Sequence, residues 1–471
     1  MPFRITIPLV LVVAFAAVGA VGTFLLPQWM PVGGSDGTPD VIKVVSSMPR
    51  SGSARGQTDT IRNGLLLAFH EVGNEIELTD PTTGEKKKYK LTYEDLDDAT
   101  ASAGDWTIEQ EIANANYARR DPDVMAYVGT YNSGAAKVSM PITNRASLLM
   151  ISPANTAESL TKPATGERHE PDCYRPTRNP DGTPKLNYVR VVPTDDLQSL
   201  LGVYFIARPT LKDTNGKVTQ VGLAAKKIYI LDDNQLYGKG LADAVKKHCQ
   251  DPSLGFNIEV LGQTSIDAKA QTYETLMTKI KGLNPDAIYF GGTTQSNAGQ
   301  LLKDMRNAGL KGVPVVGPDG CFETAIIKAA GADTFEDVPF YATFGGLPTE
   351  GLIAAGGKSK QYVDSYAAKY GAAPTEAYAV YGYECGVVLL EAFKKAGKKD
   401  REAIRKAVFE VTQYHGATGT FSFDPATGDT SNKFMSVNRA MKVTDADPKT
   451  GEKKTETRFT FTDRLELPPP R

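Results

Sequence analysis

The sequence has few of the residues that metal centres and disulfide frameworks need. Its 471 residues include only four histidines and four cysteines, and only His248 and Cys249 lie close together. Neighbouring residues of a helix point to different faces, so this pair does not indicate a metal site. We therefore expect neither a metal ion nor another cofactor. The cysteines, which allow three disulfide pairings without favouring one, are Cys173, Cys249, Cys321 and Cys385.

An excess of charge of one sign is also missing. The 53 basic and 55 acidic residues give a formal net charge of −2, and no basic patch with interleaved aromatic residues occurs. We therefore expect no nucleic-acid partner. The hydrophobic fraction of 41% and the charged fraction of 23% are typical of globular proteins, and the length suits two domains.

Motifs of known catalysts are scarce and incomplete. The segments SLTK (Ser159–Lys162) and KTG (Lys449–Gly451) match two parts of the penicillin-binding-protein pattern, but the intervening SDN is absent. No G-x-S-x-G, P-loop or paired-histidine motif is present. The sequence therefore predicts a protein that is not an enzyme.

One long hydrophobic run stands at the N-terminus. After Arg4 no charge occurs until Asp36, and the segment ITIPLVLVVAFAAVGAVGTFLL is long enough to cross a bilayer as a helix of about 20 residues. Residues 1–40 are therefore a signal peptide or a retained membrane anchor, followed by a flexible spacer. Either way the chain is expected to be exported to the extracytoplasmic side of the membrane.

From Val41 onward, strand-like and helix-like segments alternate. VIKVVSSM and YKLTYEDLDD read as strands, each followed by a segment with helical periodicity. This order predicts a doubly wound parallel sheet. After an insertion at 161–186 the pattern begins again with strands such as KIYILDDN and DAIYFGG. We therefore predict an α/β fold of two Rossmann-like lobes.

The C-terminal part reads as segments that return to complete each lobe. We predict a first lobe of residues 41–192 with 344–418 and a second lobe of residues 193–343 with 419–471. Several crossings between the lobes would form a multi-strand hinge beside a cleft, which is the geometry of ligand-induced closure.

Polar residues follow two strands that are consecutive in the chain. The strand VMAYVG stops at Gly129 and is followed by Ser133 and a short helix, and SLLMIS ends before Ala154 and Thr156. Backbone N–H groups and the Ser133 hydroxyl would then lie at the positive end of a helix, where anions bind. The two strand ends are therefore predicted to share one small ligand.

Six segments in order carry a resemblance to a known family. The chain from Val41 to Val443 resembles the leucine/isoleucine/valine-type solute-binding proteins, which are the type I periplasmic substrate-binding proteins of branched-chain amino acid ABC transporters. The segments are SGSARGQTDTIRNGL, GTYNSG, LLMISPANTAESLT, KIYILDDNQLYGKG, DAIYFGGTTQSNAGQLLKDMRNAGLKG and VVGPDG.

The resemblance implies how an amino acid would be held. Ser133, the backbone at Ala154 and Thr156 would bind the α-carboxylate, and Asp319 in GPDG would meet the α-ammonium. Tyr237 would contact the ligand from the second lobe. A zwitterion needs charge-assisted partners at both ends when it loses its hydration in a closed cleft.

Other positions of the implied site depart from the family pattern. Asp319 is shorter than the usual glutamate, Thr293 and Thr294 stand where aromatic residues are common, and Gln57 replaces another aromatic residue. With Tyr131, these residues predict a pocket more polar than one for leucine. The sequence does not choose the ligand among branched-chain amino acids, small polar amino acids, amides and urea-like solutes.

The function implied by the resemblance is that of a monomeric extracytoplasmic binding protein of an ABC importer. It would capture a small solute in the cleft and deliver it to a membrane permease. The alternative is a membrane-anchored sensor that uses the same cleft to report the solute to a membrane partner.

Overall fold

The computed structural model of the protein describes residues 40–163, 170–212, 218–446 and 452–466. The predicted N-terminal helix and spacer up to residue 39 lie outside the described residues, as does the whole KTG segment. In the described part of the chain, no helix combines the length and apolarity that a membrane crossing requires.

The strands are β1 (Val41–Met48), β2 (Glu75–Thr79), β3 (Lys86–Asp97), β4 (Val124–Gly129), β5 (Leu149–Ser152), β6 (Tyr188–Arg190), β7 (Thr210–Lys212), β8 (Val218–Val221), β9 (Lys227–Asp232), β10 (Glu259–Ser265), β11 (Ala287–Gly291), β12 (Val315–Gly317), β13 (Phe340–Phe344), β14 (Tyr414–Gly416), β15 (Gly419–Phe421), β16 (Phe434–Ala446) and β17 (Lys453–Glu466).

The α-helices are α1 (Arg55–Glu71), α2 (Ile108–Arg120), α3 (Ser133–Arg145), α4 (Asp195–Ala207), α5 (Leu236–Gln250), α6 (Glu274–Gly282), α7 (Ala298–Asn307), α8 (Thr324–Ala330), α9 (Thr334–Asp337), α10 (Thr349–Ala355), α11 (Gly357–Tyr370), α12 (Ala379–Ala396) and α13 (Arg401–Ala407).

The first lobe is built on a six-stranded sheet with the order β2-β3-β1-β4-β5-β6. All its neighbours pair in parallel except β2, which runs antiparallel to β3 at the edge. Every residue of β4 is buried, as expected for a strand covered by helices on both faces. The local sequence of α2 favours a helix: the Thr107 side chain caps its N-terminus, with acidic residues in its first turn and arginines in its last.

The second lobe is built on a seven-stranded sheet with the order β10-β9-β11-β12-β13-β16-β17. The strands β9 to β13 pair in parallel, whereas β16 and β17 form an antiparallel ribbon along one edge. The predicted α/β architecture of two doubly wound lobes is therefore confirmed.

In both sheets the chain reverses the direction in which it adds strands. The reversal falls between β1 and β4 in the first sheet and between β9 and β11 in the second. Such a switch point leaves a crevice at the carboxyl ends of the strands, where doubly wound proteins bind ligands. The fold thus places one crevice on each lobe.

The lobes are connected by more than one segment of the chain. After β6 the chain enters α4, which packs on the second sheet, and α12 later returns to pack along α1 of the first lobe. Arg190 at the end of β6 forms a buried ion pair with Asp429, which lies between β15 and β16. This ion pair holds a segment that crosses between the lobes against the first lobe. The residue boundaries of the two lobes stay a prediction.

All four cysteines lie in the described residues and none forms a disulfide. Cys249, Cys321 and Cys385 are buried, and Cys173 is exposed. The three pairings left open by the sequence are therefore not used in this structure.

Candidate functional site

A cavity lies where the crevices of the two lobes meet. Its volume is about 30 Å³, which is room for little more than water. The lobes are therefore close together, and a larger molecule enters only if they separate. The lining residues are Asp105, Trp106, Tyr131, Asn132, Ser133, Gly134, Ala154, Asp233, Gln235, Tyr237, Thr293, Ser296, Asp319, Gly320 and Tyr378.

Most of this lining follows directly from the ends of parallel strands. Asn132 and Ser133 follow β4 and Ala154 follows β5, whereas Asp233 follows β9 and Asp319 follows β12. Because the carboxyl ends of parallel strands meet at one edge of each sheet, four separate stretches of sequence converge on one small volume.

The first-lobe side of the cavity is suited to an anion. Ser133 is the first residue of α3, and its hydroxyl accepts a hydrogen bond from the backbone N–H of Ala157 at 3.4 Å. The first N–H groups of a helix have no partner within the helix, and no acidic residue stands in the first turn of α3. The N-terminus of α3 therefore offers hydrogen-bond donors and a positive dipole end to a carboxylate.

The opposite side of the cavity is organised around the buried carboxylate of Asp319. It accepts hydrogen bonds from the hydroxyls of Tyr237 and Tyr378 and from Gln198 Nε2, the last at 2.9 Å. The backbone N–H of Asp319 donates to Gln198 Oε1 at 2.8 Å, so Gln198 on α4 holds the residue from both sides. A carboxylate has about four acceptor positions. Three are used by these side-chain donors, and the backbone N–H of Gly320 also stabilises the charged form.

Burial controls the ionisation of this network. Burial raises the pKa of Asp319, although the hydrogen bonds from Tyr237, Tyr378 and Gln198 oppose the rise. Burial and the nearby charge of Asp319 raise the pKa of Asp195 well above its usual range. A positive group beside Asp319 would favour its charged form, so the site is electrostatically prepared for a cation.

Two further carboxylates flank the cavity, one from each lobe. Asp105 accepts hydrogen bonds from the backbone N–H of Trp106 at 2.7 Å and from Gln295 at 2.8 Å. Asp233 accepts from Ser296 Oγ at 2.6 Å. Burial raises the pKa of each carboxyl to about 6.

A single side chain joins the lobes at this edge of the cavity. Gln295, in the segment after β11, donates to Asp105 and accepts a hydrogen bond from Asn132 Nδ2 at 3.1 Å. Asp105 and Asn132 belong to the first lobe, so these two bonds cross the cleft. We call Gln295 with these two partners the cleft latch.

Six of the eight residues predicted for the site line the cavity, and two lie behind it. The six are Ser133, Ala154, Tyr237, Asp319, Tyr131 and Thr293. Thr156 and Gln57 are fully buried but are not part of the lining. The structure thus brings the predicted residues into one region, and the contacts that each makes with a ligand stay predictions.

Sequence reasoning missed several residues that shape the site. Tyr378 and Gln198 bind Asp319, and Asp105 and Asp233 add negative charge. Asp233 stands in the KIYILDDN segment that the resemblance covers, so that motif could have indicated it. Gln198 lies on α4 and Tyr378 directly precedes α12, both far along the chain from Asp319, and no local motif marks them.

The lining of the cavity carries three carboxylates, from Asp105, Asp233 and Asp319. Among the described residues that line it, none is a lysine, arginine or histidine. Hydroxyl, amide and backbone N–H donors supply the rest of the polar surface. In this arrangement a small molecule can be held by a negative group at α3 and a positive group at Asp319. The chemistry it supports is recognition by charge and hydrogen bonding.

The fold and the site define a two-lobed binding protein whose ligand cleft lies at the strand ends of both lobes. A family model described as periplasmic binding protein matches residues 41–442. The chain therefore belongs to the periplasmic binding protein family, and the resemblance seen in the sequence is confirmed.

Two relatives are similar over most of their length. The chain is 26% identical over 393 residues to a leucine-, isoleucine-, valine-, threonine- and alanine-binding protein of Pseudomonas aeruginosa, which covers 83% of this chain and 88% of that protein. It is also 26% identical over 391 residues to a Leu/Ile/Val-binding protein of Rhizobium johnstonii, covering 83% and 89% of the two chains.

Solved structures show the same fold. A leucine-binding protein of Thermotoga maritima superposes with a TM-score of 0.65 at 20% identity, over 90% of this chain and 99% of that one. A branched-chain amino acid substrate-binding protein of Streptococcus pneumoniae, in complex with isoleucine, gives 0.64 at 20% identity over 90% and 100%. A Rhodopseudomonas palustris solute-binding protein in complex with benzoate gives 0.62 at 17% identity over 91% and 98%.

Proposed function

We propose that this protein is the extracytoplasmic substrate-binding component of an ABC importer and that its solute is an amino acid. The observation that carries the proposal is the cavity between the lobes, which has helix donors on one side and a buried carboxylate on the other. The names of the relatives, which describe amino-acid-binding proteins, support the class of solute.

In the proposed complex the two ends of the zwitterion meet opposite sides of the cleft. The α-carboxylate accepts hydrogen bonds from the Ser133 hydroxyl and from the N-terminus of α3, with Ala154 and Thr156 beside it. The α-ammonium donates to Asp319. Charge-assisted hydrogen bonds at both ends compensate for the hydration that the zwitterion loses on burial.

Capture proceeds by closure of the lobes. The open protein receives the solute on the first lobe at Ser133, and the second lobe then brings Asp319 and Tyr237 into contact with it. Closure is favoured by the contacts that the ligand makes only in the closed state. No bond of the solute is broken, and the closed monomer is the form that a membrane permease recognises and opens.

The proposed site of action is the extracytoplasmic side of the cell membrane. The apolar segment in residues 1–40 directs export and then is either cleaved or kept as an anchor. Either outcome leaves the cleft facing the compartment from which the importer draws its solute.

A melting screen tests the proposed function. Ligand at 100 times its dissociation constant should stabilise the protein by about 2.7 kcal/mol, which gives a measurable rise in melting temperature. We expect a free amino acid to produce this rise and its N-acetyl and carboxamide derivatives to lose it. If the derivatives stabilise the protein as well as the free amino acid does, the proposed binding of both zwitterion ends is wrong.

A further inference from the structure

Four buried polar side chains beside the cavity make no hydrogen bond of normal geometry, and their polar neighbours are mainly one another. The exposed fractions of Gln57, Tyr131, Thr294 and Glu323 are 0%, 7%, 5% and 2%. Among the residues that the structure describes, no hydrogen bond of normal geometry is made by either amide atom of Gln57 or by either carboxylate oxygen of Glu323. The hydroxyls of Tyr131 and Thr294 also make none. Buried polar groups are usually paired, so a cluster of unpaired ones indicates a polar binding partner.

The four side chains are neighbours, although they come from distant parts of the chain. The Tyr131 hydroxyl lies near both the Gln57 amide and the Glu323 carboxyl, and the Thr294 hydroxyl lies near Glu323. Gln57 and Tyr131 belong to the first lobe, whereas Thr294 and Glu323 belong to the second. We call this cluster the polar pocket, and Tyr131 connects it to the cavity because it also lines that cavity.

Most charges around the polar pocket are negative, although Arg458 lines the same groove as Glu323 together with Glu350, Glu376 and Glu456. Glu376 lies close enough to Glu323 for their charges to interact, and Asp319 lies close enough to Tyr131 to affect its ionisation. The residues that line the adjoining cavity include three carboxylates and no basic side chain. A positively charged group with several N–H donors complements this surface, whereas an aliphatic side chain would leave the polar atoms unpaired.

We propose that the polar pocket binds a positively charged side-chain group of the ligand, so that the solute is a basic amino acid or a close analogue of one. This inference rests on the proposed function and deepens it. Glu323 forms the ion pair, and Gln57, Tyr131 and Thr294 contribute acceptor oxygens around the cation. The pocket thereby selects against the aliphatic amino acids named for the relatives.

Binding of a cation should release a proton. Burial, together with the charge of Glu376, raises the pKa of Glu323 to about 8. Tyr131 and Cys321 also face it, and the groove that Glu323 lines contains Glu350, Glu456 and Arg458. At pH 7 the carboxyl is therefore mostly protonated in the free protein, and pairing with a cation ionises it. A neutral side chain leaves Glu323 protonated, so a neutral amino acid should release fewer protons than a basic one.

Titration calorimetry with L-arginine, L-lysine, L-glutamine and L-leucine tests the inference. We expect arginine or lysine to bind at least about tenfold more tightly than the two neutral amino acids. Measured at pH 7 in two buffers of different ionisation enthalpy, binding of the basic amino acid should release more protons than binding of the neutral amino acids. Glu323→Gln should lower the affinity for the basic amino acid at least about tenfold and reduce its proton release to that of the neutral amino acids.

A matched control is Glu384→Gln, which changes another fully buried glutamate that binds Thr418 on the first lobe. Its preference among the four ligands should equal that of the unaltered protein. If Glu323→Gln does not fold, Gln57→Leu provides the second test, because an apolar side chain there should shift the preference towards leucine.

The outcomes separate the inference from the proposed function. Tighter binding of leucine or glutamine than of either basic amino acid would overturn the polar pocket's role and leave amino-acid capture intact. Absence of binding by all four amino acids would contradict both. Tight binding of arginine or lysine without more proton release than the neutral amino acids cause would show that Glu323 is not its partner.

Discussion

At the scale of single residues, the account depends most on Asp319. Replacing it with asparagine keeps the shape of the side chain but removes the charge that would meet the ligand's ammonium. We expect Asp319→Asn to lose the ligand-induced rise in melting temperature, with the free energy of unfolding of the free protein changed by at most about 1 kcal/mol.

The companion variant Asp319→Ala separates binding from folding. Alanine leaves the hydroxyls of Tyr237 and Tyr378 and the amide of Gln198 without their acceptor. The unliganded protein should therefore lose about 1–3 kcal/mol in chemical denaturation. If Asp319→Asn keeps the full ligand-induced shift, Asp319 is not the ammonium partner.

A second prediction at this scale concerns pH. Burial raises the pKa of Asp233 from its ordinary value of 3.8 to about 6, so the folded state binds more protons than the unfolded state between these values. The free energy of unfolding therefore falls as pH rises from about 4 to 6. Asp233→Asn should remove the part of this fall that Asp233 contributes, Asp105 contributing a similar part, and stabilise the unliganded protein at pH 7 by up to about 3 kcal/mol.

Denaturation of both proteins at pH 4 and pH 7 measures the difference. At pH 4 the two free energies of unfolding should be nearly equal, because Asp233 is then protonated for the most part in the folded state. A loss of stability at pH 7 in the variant would mean that the Ser296 hydrogen bond outweighs the cost of burying the charge.

Residues of the site differ in how far the sequence could predict them. Ser133 and Asp319 stand directly after strands and within short motifs, so their position in the chain indicated their place in the fold. Tyr378 and Gln198 could not be found in this way, because their contacts with Asp319 arise only when α4 and α12 are packed against the strand ends. The sequence around Tyr378 and Gln198 does not indicate these contacts.

At the scale of elements, close packing of α1 against α12 holds the C-terminal part of the chain to the first lobe. A Cβ atom on Gly64 would lie 2.1 Å from the Ala379 carbonyl oxygen. Gly64→Ala should therefore push the helices apart and lower the free energy of unfolding by about 1–3 kcal/mol or more.

The matched control is Gly56→Ala in the same helix, where a Cβ atom would meet nothing within 4 Å. Alanine favours the helix over glycine, so this variant should be neutral or more stable by up to about 1 kcal/mol. Chemical denaturation compares the two. Equal stability of both variants would show that the contact between α1 and α12 is looser than described.

The cleft latch is the second element-scale prediction. Gln295→Ala removes two hydrogen bonds between the lobes, each worth about 0.5–1.5 kcal/mol. The closed state should lose stability relative to the open state, and the ligand should dissociate about tenfold faster in stopped-flow measurements.

Gln300→Ala serves as its control, since Gln300 donates only within α7, to Asp304 at 2.8 Å. Its dissociation rate should match that of the unaltered protein. An unchanged rate in Gln295→Ala would mean that the cleft latch does not hold the closed state.

Element boundaries show where sequence patterns carry information. The apolar run VIKVVSSM predicts β1 at its observed bounds, because a buried parallel strand reads as a continuous apolar segment. The start of α1 at Arg55 is harder to predict, because no side chain caps the helix at Ala54. The edge strand β2 was not predicted, because its sequence EIELT mixes charged and apolar residues over only five positions.

At the scale of the whole molecule, the repeated order of strands and helices was enough to predict two doubly wound lobes. The sequence also indicated where a ligand would bind, because a switch point in each sheet leaves a crevice at the carboxyl ends of its strands. The sequence could not predict how the two lobes are placed relative to each other. This placement brings Asp105 and Asp233 to the same cavity. That placement depends on crossing segments held by contacts such as the buried Arg190–Asp429 ion pair.

The central claim is that the two lobes hold an amino acid by its opposite charges without changing it. A crystal structure of the protein grown with the amino acid that most raises its melting temperature tests this claim most directly. The account predicts the unaltered molecule between the lobes, with its carboxylate at Ser133 and its ammonium at Asp319. A ligand bound elsewhere, bound in the reverse orientation or converted to a product would contradict it.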